Sequence, residues 1–447
     1  MQAPKSSVES IVFLLTIALA TAFAAGCHED DKTWPYGTID VGWFDDAGDA
    51  TVDAGTTEPG LPAATELFDP LGIHEVQLVV SVAVWDKIVG NAKDHHLVRD
   101  WHQADVRIDG KLYSKVGLKN FGEGSQIGNP DKPNIRIKFN QFDDSAKGPE
   151  NMRNLRFKAS GSDRSFVREP MFYDMARAIG VAAPRTSFAH VRVNSKVFGL
   201  YQVVEHADKR LFKRNFGNNQ GKNFDVGDTC NGFNCPKGDC SDVTKYFRIE
   251  HDLAPGEAPD FGPVVAIATA MAESSDDDVV AAVGKVFDMD NLLGVYALEA
   301  MASDHDGLSA GGANFELYQS EDDKLMRIIR NGADGSFKDL YKLDKPWGPP
   351  NVWCEGRHDN FYARAASHTG LRAVLDAKMR QLQCGPFAKE WYLPWLEARR
   401  QRLSDELSRS GETADFKASD LGGNMDDIVA YLVGREQMVR QRLGPCE

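Results

Sequence analysis

Between residues 74 and 139 apolar and polar positions repeatedly alternate. Stretches 74–84, 103–108, 112–120 and 134–139 read as strands, several with the period of two that sends successive side chains to opposite faces. Over residues 165–180 the period lengthens: Phe166, Val167, Met171, Phe172, Met175 and Ala176 share one side and Gly180 stands at the stop, which predicts an amphipathic helix. Two further strands are expected at 187–193 and 197–204, joined by Asn194-Ser195-Lys196. Past about residue 260 the pattern is mostly helical. One hairpin interrupts it, with a strand at 314–319, a polar turn at 320–323 and a returning strand at 324–330. The chain therefore reads as α+β, with a β-rich part over 66–205, a mainly helical part over 206–385 and a helical extension over 386–447. No internal repeat is visible.

The first 65 residues follow neither pattern. Lys5 precedes an apolar run at 11–25, long enough for the core of an export signal and short for a stable membrane span. It ends in Ala24-Ala25-Gly26-Cys27, which resembles the lipobox of bacterial lipoproteins. Residues 1–27 are thus expected to be a lipoprotein signal, with Cys27 lipidated and the exported protein anchored to a membrane; an ordinary secretory signal is the alternative. Residues 28–65, rich in Asp, Gly, Thr and Pro, read as an acidic tether, because the ligand spacing and closing Glu of a calcium loop are absent.

Composition changes the picture in two ways. A chain of 447 residues that is 42% hydrophobic can bury a large core, while its net charge of −15 argues against a general nucleic-acid binder. Any anionic ligand needs a local basic cluster. Apart from Cys27 there are six cysteines, at 230, 235, 240, 354, 384 and 446, and an even number in an exported chain favours disulfides, with the pairing left open.

The candidate chemistry lies around the hairpin. Asp306 is followed eight residues on by Asn314 and, twenty residues after that, by Asp334. Phosphoryl transfer needs a carboxylate to orient the attacking hydroxyl and hard oxygen ligands for Mg²⁺, and this set supplies both. A hairpin brings its open ends together, so Asn314 and the loop of Asp334 fall side by side. Asp306 arrives at the end of the apolar run 292–302. Asp, Asn and Gly are also ordinary turn residues, and spacing alone does not separate the two readings. A β-rich part followed by a helical part holding the triad is the layout of a bilobal protein kinase-like fold. Gly307-Leu308-Ser309-Ala310-Gly311 matches a serine-hydrolase elbow, but a helix precedes it and a strand follows, the reverse of the order that elbow needs.

Several stretches in order resemble the CotH family, the spore-coat protein H kinases, from about residue 67 to 337. They are Val116-Gly117-Leu118-Lys119, Asn134-Ile135-Arg136-Ile137-Lys138-Phe139, Val167-Arg168-Glu169, Ala176-Arg177, Gly180-Val181-Ala182-Ala183-Pro184-Arg185, residues 197–205 and residues 306–318. The resemblance implies a kinase-like fold, use of ATP with Mg²⁺ or Mn²⁺, and a protein substrate with a Ser or Thr acceptor. It makes Asp306 the catalytic-loop aspartate and Asn314 and Asp334 the metal ligands. Lys138 is the choice for the phosphate lysine, with Lys119 and Arg136 as rivals, and Glu205 sits where a hinge would meet adenine or, equally, is a surface glutamate. The loop Phe121-Gly122-Glu123-Gly124 can approach phosphate or be a plain turn. Family members often differ at Ala313, at Arg330-Asn331 and at Gly332, which leaves a kinase-like surface protein acting as a binding or adhesion module as the alternative. A sugar platform built from Trp101, Trp347 and Trp353 is a further possibility, although scattered tryptophans are more often core or interface anchors.

Overall fold

The computed structural model describes residues 66–93, 99–122, 131–226, 232–235, 238–250, 257–346, 360–410 and 418–446. Cys27, the tether, Gly124, Cys230, Cys354, Trp347 and Trp353 lie outside these residues.

The alternating first half forms seven strands: β1 (Ile73–Val79), β2 (His102–Ile108), β3 (Lys111–Asn120), β4 (Ile135–Lys138), β5 (Asn154–Lys158), β6 (Thr186–Val193) and β7 (Lys196–Glu205). They close into a barrel in the order β1-β2-β3-β4-β5-β7-β6, with β6 parallel to β1. Val106, Val116, Leu118, Ile137 and Leu155, all 1% exposed or less, fill its interior. The pleat turns their strand neighbours outward, and the register sets Lys119 opposite Arg136, Arg136 opposite Arg156, and Lys138 opposite Asn154. A basic row on the outside of β3, β4 and β5 is the direct product of that alternation.

Two expectations change here. The strand predicted at 74–84 stops at Val79, and helix α1 (Val82–Lys93) begins instead. The apolar run Val82-Ala83-Val84 suits either period; Ser81 decides, because its carbonyl and hydroxyl accept the Val84 amide at 3.1 and 3.3 Å and so cap a helix. Strand β5 was not foreseen, being short and lying between turn-rich segments.

Helix α2 (Arg168–Ala178) turns away from the barrel's own core. Its Phe172 and Met175 join Leu200, Leu292, Val295 and Leu298 in a second apolar core. Helix α3 (Lys209–Phe216) packs Leu211 and Phe212 in a small separate cluster with Tyr318 and Ile329, and around the second core run α4 (Gly262–Glu273), α5 (Val279–Gly284), α6 (Met289–Ala302), α7 (Asn360–Ser367), α8 (Thr369–Gln383), α9 (Lys389–Ser410) and α10 (Ala418–Leu443). The expected hairpin is present as β10 (Phe315–Gln319) and β11 (Met326–Arg330), and it belongs to a four-stranded sheet, β11-β10-β8-β9, completed by β8 (Lys222–Val226) and β9 (Phe247–Ile249). Disulfides join Cys235 to Cys240 and Cys384 to Cys446. No helix among the described residues is long and apolar enough to cross a membrane.

Candidate active site

The loop after α6 is built around one buried cation. Ser303 ends the helix in the left-handed region at φ 47°, so the chain reverses into Asp304, His305 and Asp306. Glu299, on the last turn of α6, accepts the amides of Leu308 at 3.0 Å and Ser309 at 2.7 Å. Gly307 lets that carboxylate pass, since a Cβ there would come within 2.5 Å of Glu299 Oε1. Arg330, the last residue of β11, enters from the sheet, pairs with Glu299 at 2.9 Å and with Asp304, and donates to the carbonyls of Ala313 and Asn314. Arg330, Glu299 and Asp304 are each 0% exposed. The Arg330 that looked like a departure from the family pattern therefore ties β11 to the loop. Ser309 is fully buried, its amide spent on Glu299, with the helix-before, strand-after order that excludes an elbow.

The three oxygen side chains gather at the open end of the hairpin. Asn314 Nδ2 donates to the Asp306 carbonyl at 3.1 Å, and the Asn331 amide to the Asn314 carbonyl at 3.0 Å. Both hairpin ends use positive φ, Asn314 at 55° and Gly332 at 70°. A side chain at 332 would also come within 3.0 Å of Asn314 Oδ1, which accounts for glycine there. Asp306 is exposed at the mouth. Desolvation by the surrounding protein, reinforced by the Asp304 and Asp334 carboxylates, raises its pKa above the usual aspartate value.

Asp334 has a partner that sequence reasoning missed. Lys158, at the end of β5, lies 3.3 Å from Asp334 Oδ1 and also pairs with Glu169 at the start of α2. Burial alone would raise the Asp334 pKa; Lys158, the Ser162 hydroxyl and Lys338 outweigh it and hold the carboxyl well below its ordinary range. Burial would likewise lower Lys158, but Asp334 and Glu169 keep it raised and charged. Tyr173 Oη donates to Glu169 at 2.6 Å and accepts the Gly332 amide at 2.9 Å, so α2, β5 and the Asp334 loop meet in one network. The signal for Lys158 was the alternation Asn154-Leu155-Arg156-Phe157-Lys158, two apolar residues between three polar ones, with Glu169 eleven positions further at a helix start.

The basic residues chosen from sequence lie further along the same outer barrel face. Lys138 is half-buried on β4 opposite Asn154; the lysine paired with Asp334 is Lys158. Lys119 stacks 4.5 Å over the Trp101 ring, and burial, with Arg136 beside it, lowers its pKa to about 8. That places Trp101 against the basic row. Arg136 donates to His206 Nε2 at 2.6 Å, and Arg156 pairs with Glu316 of β10 at 3.3 Å. Glu205 is not a surface glutamate: it is 0% exposed and pairs with Arg185 at 3.0 Å and with Arg214. Strand-end position alone did not show that two arginines converge on it. Gly122 has φ 81°, and the rest of the glycine-bearing loop, 123–130, is outside the described residues.

The profile described as CotH kinase protein matches residues 121–435, and the chain belongs to that family as a kinase-like protein of mixed α+β structure. No curated protein matches it. Among solved structures it is similar to a chain of the Shewanella oneidensis MR-1 toxin–antitoxin complex of HipA, HipB and operator DNA, with 12% identity, a TM-score of 0.31 and coverage of 66% of this chain. The chain spans 60% of the length of that relative. It is also similar to the Helicobacter pylori proinflammatory kinase CtkA, at 9% identity and a TM-score of 0.30, covering 73% of this chain and 94% of that one.

Proposed function

We propose that the protein transfers the γ-phosphoryl group of ATP to a Ser or Thr hydroxyl of a protein substrate, using a bilobal arrangement with the barrel as first lobe. The observation that carries this reading is the pairing of Lys158 with both Glu169 and Asp334. It brings a charged lysine from the barrel, a glutamate from α2 and an ionised aspartate from the hairpin loop to one point. Phosphoryl transfer is governed by positioning and charge, and these groups supply both.

Asp306 orients the acceptor hydroxyl and takes its proton; its raised pKa makes it a stronger base than an ordinary aspartate. Lys158, rather than Lys138, takes the phosphate-binding role, and Lys119 and Arg136 extend the positive face along the barrel. Asn314 and Asp334 are the residues that would hold Mg²⁺ or Mn²⁺. Their chemistry suits such an ion: an amide oxygen and an ionised carboxylate are hard donors, and a cation would offset the Asp304 and Asp334 charges that add to desolvation in raising Asp306. When bound, the metal neutralises charge on the phosphates. Glu205 has no place in this scheme.

Metal-dependent ³²P transfer from γ-labelled ATP tests the reading, with Asp306→Ala, Asp334→Ala and Lys158→Met alongside the parent chain. Loss of label in all three supports it; equal labelling sinks it. Absence of label together with no nucleotide-induced thermal shift would favour the binding-module reading.

We also propose that the protein is exported and held at a membrane through lipid on Cys27, a reading supported by its two described disulfides, which belong to oxidising compartments. Metabolic labelling with an alkyne fatty acid, lost in Cys27→Ser, is the expected result; label retained in that variant would refute it.

A further inference from the structure

The extension after residue 385 grips the two elements that present the site. From α9, Trp395 Nε1 donates to Asp174 Oδ2 at 2.7 Å, and Arg399, stacked 3.5 Å over the Trp395 ring, donates to the same oxygen at 3.2 Å. Asp174 lies in the middle of α2, the helix that brings Glu169 to Lys158, and its other oxygen holds Arg177. From α10, Tyr431 Oη donates to the Met301 carbonyl at 2.7 Å and lies 3.0 Å from Ser303 Oγ. Arg435 donates to Ser303 Oγ, to Tyr431 Oη and, at 2.8 Å, to the Tyr341 carbonyl. Ser303 is the residue at which the chain turns into the loop of Asp306. The Tyr431 ring also meets Phe337 edge-on at 5.7 Å, and the Phe337 amide closes back on the Ala302 carbonyl at 2.8 Å, three residues after Asp334.

Apolar packing alone is non-directional, whereas these contacts are buried, polar and aimed. Arg435 is 0% exposed, and its fork of donors sets the register of three backbone and hydroxyl oxygens at once. The end of α10 is closed in turn: Cys446 is bonded to Cys384 at the end of α8, Gln383 donates to the Gly444 carbonyl at 3.0 Å, and α8 packs on α6.

We propose that the C-terminal extension is a positioning clamp, locked by the Cys384–Cys446 disulfide. Through Asp174 it holds the helix of Glu169, and through Tyr431 and Arg435 it holds the loop of Asp306. The clamp's effect on catalysis rests on the phosphoryl-transfer reading; the clamp itself is measured without it.

The test is hydrogen exchange of the full chain, comparing the parent with Tyr431→Phe, Arg435→Lys and the Cys384→Ser/Cys446→Ser pair. Tyr431→Phe keeps the ring against Phe337 and removes only the hydroxyl. Exchange over residues 303–314 is expected to rise about tenfold in Tyr431→Phe and the cysteine pair, while barrel strand β4 stays protected. Arg435→Lys, which keeps the charge but not the fork, is expected to fall between. In the same proteins kcat for transfer from ATP is expected to drop with KM for ATP within about twofold. No local rise, or a uniform rise across the chain, overturns the clamp. A local rise with no transfer activity in the parent leaves the clamp standing and removes the kinase reading.

Discussion

Lys158 Nζ and Asp334 Oδ1 lie 3.3 Å apart, although 176 residues separate them in the chain. The contact joins the end of barrel strand β5 to the loop after hairpin strand β11, and Glu169 completes it from a third element. An isolated buried lysine is costly, so this one is kept charged by its two carboxylates.

Replacing Lys158 by Met is expected to lower phosphoryl transfer by about 10²–10³-fold, the usual effect of removing one charge-stabilising donor. Lys138→Met is expected to stay within about threefold. The same Lys158→Met change lets the Asp334 pKa rise. In the parent chain that depressed carboxylate contributes stability above its unfolded value, about 3.9, which is lost as pH falls through its lower folded value. Acid unfolding of Lys158→Met, followed by circular dichroism, should therefore begin at higher pH; an unchanged acid midpoint would contradict the pairing.

Arg330→Leu leaves Glu299 and Asp304 buried without their shared cation. Breaking a buried pair by removing one partner costs about 3–5 kcal/mol, so urea unfolding should show a loss of that order. A loss under about 1 kcal/mol, the size of an exposed pair, would mean that Arg330 is not the anchor of the loop.

In the proposed mechanism the acid limb of the kcat profile reports Asp306, which must be ionised to take a proton. Its pKa is raised by desolvation and then by Asp304 and Asp334, so the limb should lie above the ordinary aspartate value of about 3.9. Asp304→Asn removes one of the two negative neighbours and should move the limb to lower pH. A limb that stays put or moves up would show that another group titrates there.

Glu205→Gln is expected to destabilise the fold by about 3 kcal/mol by leaving Arg185 and Arg214 without their carboxylate. KM for ATP should change less than about twofold in the folded variant. A large rise in KM with unchanged stability would restore Glu205 to the nucleotide site.

Much of the fold was legible because burial on one face imprints a period on the sequence. Strands β2, β3, β4, β6 and β7, helix α2 and the β10–β11 hairpin lie where alternation and amphipathic spacing put them. The run 74–84 departs from a strand beyond Val79, since three consecutive apolar residues carry no period and a cap two residues on selects the helix. Asp306, Asn314 and Asp334 were visible as a set because a hairpin is a local structure whose open ends must meet. Lys158 was not, because nothing local to a five-residue strand says which of several outward lysines and arginines will face a loop from the far side of the molecule.

By itself the sequence determined the period of most barrel strands and of α2, the hairpin beside the three oxygen side chains, and the resemblance that the family match bears out. The tertiary structure alone decided which charges meet. Barrel closure and sheet packing brought Lys158 to Asp334, Arg330 to Glu299 and Asp304, and Glu205 to its two arginines. The physical reason is range: periodicity records which way a side chain faces within its own element, whereas a buried ion pair depends on how two distant elements pack against each other.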